Sequence, residues 1–590
     1  MTTSTVYLKG FLLFITTLVF EGSQKSLSHA ETASVLLRSR LQPAAAEISP
    51  EEIAVHSGRR EYFEVTKPIK LPSHTKPCSS LLLNHSFANT INLPPFVTTY
   101  TPSKKCGFEW EKVILTWKAT CKGWQYDRIS AVWLSGVEIF RTCTAEPTAK
   151  GVEWKVEKDV TRFAVLFKDM QTLAVSLGNV VDKNYTGIYN VTVTVDFYPQ
   201  YKQKGDPKAS NHADAVLPIS LASPLNGGYW FQLQGETDVR SVSVTLPANV
   251  YRATLEICVS FHGDDEFWYT NPTNDYIEAN NLTDQIPGNG PFREVVVLID
   301  DLVAAAVWPF PVLYTGGINP FFWKPVAAIG AFDLPSYDFD ITPFLGVIAD
   351  GRAHNISMRV TDSLKFWLLD ANLHLWLDPN SSKVTGRLLE YNAPDPDTKT
   401  VNSYRGLDGK ISIKASRSIY YSGYVFSSYG NITTSSLHSY KFQNLQVYSS
   451  NASVSFLEQI TETKSKATTK IDSQIIDLEE KESSYPLSLF YVQDNQPNDT
   501  IVANASIAHA LNEHVKISRK GSSSLHNSQA ADGLIVISNN LVTNIGWGAL
   551  RQNYSFQSEG DCYYRSLSAR NYSLLSDIVL TSCTFPDVPN

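Results

Sequence analysis

The segment YNVTVTVDFYP, from Tyr189 to Pro199, alternates apolar and polar residues and ends on a proline. Alternation with a period of two is typical of a strand with one buried face, and a proline suits a strand end because it donates nothing to the ladder. The run TLAVSLGN at 172–179 has the same texture. Both segments predict antiparallel β-structure rather than helix.

The same texture continues outward in both directions through a chain of 590 residues, which is too long for one ordinary core. It predicts an all-β protein: two tandem antiparallel jelly-roll sandwiches, at 58–215 and 216–395, followed by a β-rich domain at 396–590. The polar segment NAPDPDTKTVN at 392–402 carries two prolines. It predicts an exposed, protease-accessible linker.

The N-terminus has the pattern of a cleavable signal peptide over residues 1–22, because Lys9 precedes an apolar run that ends near Phe20. Residues 23–57 then form a variable segment. No later run is apolar for the roughly 20 residues that a membrane helix needs. We therefore expect a protein of the secretory pathway that resides outside the cell, in the cell wall or in the vacuole.

Net charge and sequons point the same way. The formal charge of −8 argues against a nucleic-acid partner, which requires clustered lysine and arginine. Acceptor triplets for N-glycosylation occur more often than chance predicts. Their asparagines are Asn84, Asn184, Asn190, Asn281, Asn355, Asn380, Asn431, Asn451, Asn498, Asn504, Asn553 and Asn571.

The seven cysteines form no CxxC pair, and an oxidising compartment favours disulfides. Cys258 lies in the strand-like run TLEICVSF and is expected to stay free. Proximity in sequence suggests three pairings, although sequence alone leaves the connectivity open. The pairs are Cys78 with Cys106, Cys121 with Cys143, and Cys562 with Cys583.

Common catalytic signatures such as HExxH, the P-loop and GxSxG are absent, and no metal or cofactor is expected. Carboxylates beside aromatic residues remain, which is typical equipment for sugar chemistry. In GWQYDRISAVWLSGVEIFRTCTAEP, residues 123–147, Asp127 beside Arg128 could be a water-activating base. The alternative is a salt bridge at a sheet edge.

Two further segments carry candidate carboxylates. The stretch FHGDDEFWY places Asp265, Glu266 and Trp268 after a predicted core strand, with a polar turn or a calcium-binding loop as the alternative. The stretch PGNGPFREVVV offers Arg293 and Glu294, and its alternative is a hairpin turn before a charged strand start.

A series of motifs occurs continuously and in order from Phe63 to Asp378: FEVTKPIKLP, WKATC, YDRISAVWLSGVEI, RTCTAEP, VEKDVTRF, NYTGIYNVTV, VSFHGDDEFWY, GNGPFREVVV, AVWPF, TGGINP, FDLPSYD, ITPFLG and DANLHLWLD. In these motifs the chain resembles the plant peptide N-glycosidase A family.

This resemblance implies a glycoamidase that hydrolyses the bond between asparagine and the innermost N-acetylglucosamine, including core-fucosylated glycans. Its substrates would be N-glycosylated peptides or denatured glycoproteins. Nicking into two chains near Asp395 is also implied.

The stretch YDRISAVWLSGVEIFRT is similar, more faintly, to a segment of bacterial peptide N-glycosidase F. That likeness implies that Asp127 is catalytic and that Arg128 and Arg141 match two arginines of the bacterial segment. The bacterial glutamate upstream of Phe-Arg has no acidic counterpart at Asn289 or Gly290. Glu266 and Glu294 are therefore both candidates for the second carboxylate.

The predicted substrate-binding residues are Arg128, Arg141, Asp265, Trp268 and Arg293. Two rival functions remain: a glycoside hydrolase, and a glycan-binding β-sandwich without catalysis.

Overall fold

The computed structural model describes residues 60–200, 212–518, 521–538 and 541–583. The predicted signal peptide and variable N-terminal segment lie outside the described residues. The all-β prediction is confirmed: the described chain is dominated by antiparallel sheets. The α-helices within it are short, α1 at Asn274–Ala279 and α2 at Leu345–Ile348.

The first sandwich has a five-stranded sheet, in the order β1-β7-β4-β9-β2, and a four-stranded sheet, β3-β8-β5-β6. The alternating segment Tyr189–Pro199 forms β9, where Val191, Val193 and Val195 are buried and the residues between them are more exposed. Across the core, the ring of Trp117 lies 5.9 Å from that of Phe140. The strands are β1 Arg60–Tyr62, β2 Cys78–Phe87, β3 Phe96–Tyr100, β4 Trp110–Cys121, β5 Ile129–Leu134, β6 Val137–Cys143, β7 Val152–Asp159, β8 Gln171–Leu177 and β9 Tyr189–Pro199.

The second sandwich follows the same plan. One sheet runs β10-β18-β13-β16, with β11 also paired to β18, and the other runs β12-β17-β14-β15. Its strands are β10 Ala215–Ile219, β11 Phe231–Leu233, β12 Arg240–Thr245, β13 Val250–Phe261, β14 Glu294–Ile299, β15 Leu302–Val307, β16 Ser336–Asp340, β17 Ala353–Thr361 and β18 Trp367–Leu377.

The third unit is a single 11-stranded antiparallel sheet whose long strands are joined by tight turns, with β20 paired to β21. Its strands are β19 Thr385–Asn392, β20 Asp397–Arg405, β21 Asp408–Ser427, β22 Gly430–Ser449, β23 Val454–Ile471, β24 Gln474–Gln496, β25 Thr500–Ile517, β26 Gly521–Ser538, β27 Leu541–Ser558, β28 Asp561–Arg570 and β29 Ser573–Leu580.

The segment predicted as a linker is mostly exposed, but only part of it is a loop. Its two prolines lie in the turn at 393–396, where neither has to donate to a ladder. From Asp397 onward the residues pair with β21 as strand β20. The run TKTV within it is rich in threonine and valine, which favour strands.

Arg141 of β6 joins the two sandwiches through a buried polar network. Its guanidinium makes two 2.8 Å bonds to Glu138 on the same strand. It also donates to Ser260 Oγ and to the Leu368 carbonyl in the second sandwich, each at 2.9 Å, and it lies 3.3 Å from Asp370. Arg141 is buried, so its five donors are spent on the junction between the sandwiches.

Two of the three cysteine pairings suggested by proximity are formed, Cys78–Cys106 and Cys562–Cys583. The third is wrong: Cys121 and Cys143 are both free and buried, as is Cys258. Cys121 ends β4 in one sheet of the first sandwich, whereas Cys143 ends β6 in the other. Closeness in sequence therefore does not become closeness in space.

All twelve sequon asparagines are exposed, so each is accessible to modification as glycosylation requires. Their glycosylation stays a prediction. Among the described residues, no helix combines the length and the apolar character needed to cross a membrane.

We expect the Arg141→Met variant to lose about 3–5 kcal/mol of stability, because it leaves the buried Glu138 carboxylate without its cation. Urea unfolding of the purified variant measures the loss. Arg352→Met is the matched control, since Arg352 is 83% exposed in its pair with Asp350 and removal of an exposed pair costs less. Equal unfolding midpoints for the two variants would contradict a structural role for Arg141.

Candidate active site

Asp127 lies in the loop between β4 and β5, which backbone hydrogen bonds fasten to its surroundings. The amides of Thr186 and Gly187 both donate to the Trp124 carbonyl at 3.0 Å. The hydroxyl of Tyr189 donates to the Tyr126 carbonyl at 2.9 Å. Asp127 is thus presented from a rigid loop rather than from a flexible one.

Three groups stabilise the charged form of Asp127. The backbone N–H of Gly316 donates to its carboxylate, and the thiol of Cys143 lies 3.6 Å from Oδ2. The neighbouring Arg128 adds a positive charge. Burial nevertheless raises the pKa of Asp127, and these groups oppose that increase.

Glu146 is a second carboxylate at the same place, and it follows β6 in the stretch TAEP. It is buried and accepts a 3.0 Å bond from Nζ of Lys324, which comes from the second sandwich. Burial raises the pKa of Glu146, Lys324 opposes the increase, and the charge of Asp127 adds to it.

Gly316 shows how closely Asp127 and Glu146 approach each other. A Cβ atom at Gly316 would lie 2.6 Å from Oδ1 of Asp127 and 2.8 Å from Oε1 of Glu146. Only a residue without a side chain fits between the two carboxylates. The turn that carries Gly316 is also tight, because Gly317 N–H donates to the Tyr314 carbonyl and Ile318 has a φ of 63°.

Glu266 is the third carboxylate, and it follows a 3₁₀ turn at Gly263–Asp265 after β13. Burial raises the pKa of Glu266 well above its usual range, and the charges of Asp127 and Glu146 raise it further. Repulsion among these three neighbouring carboxyl groups disfavours their simultaneous ionisation.

Glu294 and Arg141, both predicted as site residues, instead form buried ion pairs away from Asp127. Glu294 is buried, pairs with Arg417 at 2.7 Å and accepts a 2.8 Å bond from the Trp308 indole. Arg141 belongs to the junction between the sandwiches. Neither side chain joins Asp127, so the placement corrects the catalytic role predicted for Glu294 and the substrate contact predicted for Arg141.

The loop that carries Glu266 is held by three buried side chains, those of Asp265, Arg293 and Trp268. Arg293 grips Asp265 through two bonds of 2.7 and 2.9 Å, and both side chains are buried. Trp268 is also buried and packs its ring against Phe261. These side chains hold the turn that presents Glu266, which differs from the substrate contacts predicted for them.

Three side chains could in principle offer ligand atoms to a metal ion. Carboxylate oxygens of Glu138 and Asp370 and the Sγ atom of Cys258 lie within 4.8 Å of one another. The guanidinium of Arg141 already bonds both carboxylates there. A cation would have to displace that positive charge, so these residues do not suit a metal ion.

Residues 68–394 match the sequence model of the family described as peptide N-acetyl-β-D-glucosaminyl asparaginase amidase A. Residues 410–487 match the model of the C-terminal domain of the same family. The chain belongs to the amidase A family. A relative from Prunus dulcis, peptide-N4-(N-acetyl-β-glucosaminyl)asparagine amidase A, is 44% identical over 539 residues. That alignment covers 90% of this chain and 94% of the relative.

Solved structures resemble the chain more distantly. PNGase F, a glycosylasparaginase from Flavobacterium meningosepticum, aligns with 51% of this chain and 96% of its own, at 15% identity and a TM-score of 0.35. PNGF-II aligns with 51% of this chain and 66% of its own, at 11% identity and a TM-score of 0.32.

The sequence of this amidase A family member predicted Asp127, Arg128 and Glu266 as site residues. It did not predict the neighbouring Glu146, Gly316 and Lys324. Glu146 stood in TAEP, an isolated acid without a local partner in sequence. The adjacent glycines of TGGINP were the available signal, because paired glycines before a proline mark a turn that tolerates close approach.

We expect Gly316→Ala to destabilise the protein by about 1–3 kcal/mol, because the new methyl group must displace Asp127 and Glu146. Urea unfolding of the variant and the parent measures the change. Gly235→Ala is the matched control, since the nearest atom to a Cβ there is 3.9 Å away. An unfolding curve for Gly316→Ala that superimposes on the control would show that the two carboxylates are not held this close.

Proposed function

We propose that this chain hydrolyses the amide bond between asparagine and the innermost N-acetylglucosamine of N-glycans. The observation that carries the proposal is the convergence of Asp127, Glu146 and Glu266 from two sandwiches, in a chain of the amidase A family. The name of its Prunus dulcis relative states the same reaction for that protein.

In this proposal Asp127 orients a water molecule and accepts its proton. Arg128, the Cys143 thiol and the Gly316 N–H all favour the ionised form of Asp127. A buried carboxylate with a raised pKa is a stronger base than one in water, while its ionised form remains accessible here because of those three groups. The water oxygen then attacks the carbonyl carbon of the glycosylated asparagine.

Glu266 acts as the acid. Burial and two neighbouring carboxylates keep it protonated at a pH where an ordinary glutamate is charged. It donates that proton to the leaving nitrogen as the carbon–nitrogen bond breaks. The peptide keeps an aspartate, and the glycan leaves as a glycosylamine.

Arg128 suits the developing oxyanion. Its Nη2 donates to Gln125 at 3.2 Å, whereas its Nε is buried and has no hydrogen-bond partner among the described residues. A buried N–H without a partner costs free energy, which a carbonyl oxygen of the substrate would recover. A donor placed at that oxygen lowers the barrier most in the transition state.

The same site could serve the two rival functions. A glycoside hydrolase would also use two carboxylates, but it would leave one sugar on the asparagine. A glycan-binding protein would release nothing. The proximity of Asp127 and Glu266, two carboxyl groups whose pKa values are both raised by burial, supports acid–base chemistry, and family membership favours the amide bond over the glycosidic bond.

Finer features follow from the same proposal. The exposure of all twelve sequons supports passage through the secretory pathway to the cell exterior, the wall or the vacuole. The exposed turn at 393–396 supports nicking into two chains, which would stay paired because β19 bonds to β21 across the cut. Acceptance of core-fucosylated glycans is part of the proposed substrate range.

The reaction is tested with a core-fucosylated glycopeptide in heavy-oxygen water, followed by mass spectrometry of peptide and glycan. We expect asparagine to become aspartate that carries the heavy oxygen, together with release of the intact glycan. Retention of asparagine bearing one sugar would assign a glycoside hydrolase. Binding without any release would assign a lectin-like protein.

We expect Asp127→Asn to lower kcat by on the order of 10²–10⁴-fold, because the general base is removed while the fold keeps its shape. Steady-state hydrolysis of the same glycopeptide measures the loss, with unfolding curves to confirm integrity. Asp275→Asn, at an exposed position on α1, is the control and should retain full activity. Turnover by Asp127→Asn at the parent rate would refute the assignment.

The pH profile tests Lys324. Because Lys324 lowers the pKa of Glu146, its replacement by methionine raises that pKa, and Glu146 then takes up a proton at a higher pH than before. We expect the Glu146 carboxyl, followed by carbon-13 NMR of the labelled protein, to take up its proton at higher pH in Lys324→Met and at the parent pH in Lys324→Arg. Titration of Glu146 at the same pH in both variants would contradict the stabilising role of Lys324.

A further inference from the structure

The inward face of strand β22 has an unusual composition in its C-terminal half. Its buried positions run Tyr440, Phe442, Asn444, Gln446 and Tyr448, so that two amides interrupt a row of aromatic residues. A buried amide costs free energy unless its donors and acceptors find partners. The partners of these two amides therefore indicate what this face of the third sheet contacts.

Both amides donate to the loop that carries Glu266. Nδ2 of Asn444 donates to the Tyr269 carbonyl at 3.0 Å, and Nε2 of Gln446 donates to the Asn271 carbonyl at 3.1 Å. Each is oriented from behind, because Asn444 also donates to Gln459 and Gln446 accepts a 2.6 Å bond from the Tyr448 hydroxyl.

The other end of the same loop is anchored in the second sandwich. Asp265 accepts two bonds from Arg293, a 2.8 Å bond from the Leu364 amide and a 2.7 Å bond from the Trp367 indole. Glu266 follows Asp265 directly and precedes Tyr269 by one turn. Its carboxylate forms no ion pair in the described part of the chain, so backbone anchors on both sides decide where it lies.

The third sheet also holds the segment that carries Gly316 and Lys324. A Cβ atom at Gly548 would lie 2.4 Å from the Phe321 carbonyl oxygen, and one at Gly546 would lie 2.7 Å from the Phe321 ring. Further along, Gln529 donates to the Ala327 carbonyl at 2.9 Å. The third sheet therefore contacts both loops of the site: β22 contacts the loop of Glu266, and β26 and β27 contact the segment that follows Gly316.

We propose that Asn444 and Gln446 are positioning residues that set the place of Glu266, so that the third sheet is a working part of the active site rather than a separate binding module. The catalytic part of this statement rests on the proposed function. The positional part rests on the contacts of β22 alone.

The test compares Gln446→Leu with His438→Leu in the full-length protein. Leucine at 446 keeps the side-chain bulk but removes both hydrogen bonds. His438 is the matched control, because it is buried on the same strand and contacts Tyr421 and Phe339, away from the Glu266 loop. Gln446→Glu is a third variant: it still accepts from Tyr448 but no longer donates to Asn271.

The first measurement is amide hydrogen exchange across residues 263–271, which requires no substrate. We expect faster exchange at Thr270 and Asn271 in Gln446→Leu and Gln446→Glu, and parent rates in His438→Leu. Unchanged exchange in both Gln446 variants would overturn the proposal. So would an equal increase in His438→Leu, because the effect would then reflect general loosening of the sheet.

The second measurement is steady-state hydrolysis of a glycopeptide. A displaced acid should lower kcat by on the order of 10²-fold with little change in KM, since the carboxylate acts in the transition state. A rise in KM with unchanged kcat would overturn the positioning role. If the parent protein releases no glycan, the proposed function fails, and the exchange experiment still decides the positional claim.

Discussion

The proposed active site lies where two sandwiches meet, and the buried guanidinium of Arg141 bonds groups in both of them. Its guanidinium bonds Glu138 within the first sandwich and reaches Ser260 and Leu368 in the second. Asp127 and Glu146 lie on one side of this junction, whereas Glu266, Gly316 and Lys324 lie on the other. A slip between the sandwiches would separate Glu266 from Asp127 and Glu146.

The junction brings together charges that oppose each other. Three carboxyl groups share a sheltered volume, where the weak dielectric screening strengthens their repulsion. Lys324 pairs with Glu146, Arg128 and a backbone N–H stabilise the charge of Asp127, and no ion pair of Glu266 is found in the described part of the chain. The repulsion that raises the pKa of Glu266 also opposes the folded state when all three groups are ionised, so the charge of this cluster affects stability.

The amide pair on β22 extends this picture beyond the two sandwiches. A long antiparallel sheet with one solvated face would be stable with apolar residues on its inner face. Buried amides in that row bring specificity, because each must meet a particular carbonyl. The third sheet thereby constrains the loop of Glu266 in a way that apolar packing would not.

Several parts of the fold could be predicted because they depend on local pattern. The period of two in YNVTVTVDFYP became β9 with the expected buried face, and the isolated strand-like setting of Cys258 left that thiol free. Other predictions failed where local pattern carries no information. Cys121 and Cys143 are near in sequence but belong to different sheets, and Glu294, at a charged strand start like many others, was drawn into an ion pair with Arg417 from the third sheet.

The sequence by itself determined the strand texture, the all-β class and the position of Asp127 close to a strand start, because these follow from neighbours within a few residues. Only the tertiary structure decided which carboxylates stand with Asp127. Glu146 follows Asp127 by 19 residues in the sequence and Glu266 follows it by 139, and neither separation indicates a contact. Their meeting results from the packing of two sandwiches around Arg141 and from a glycine small enough to let two carboxylates approach.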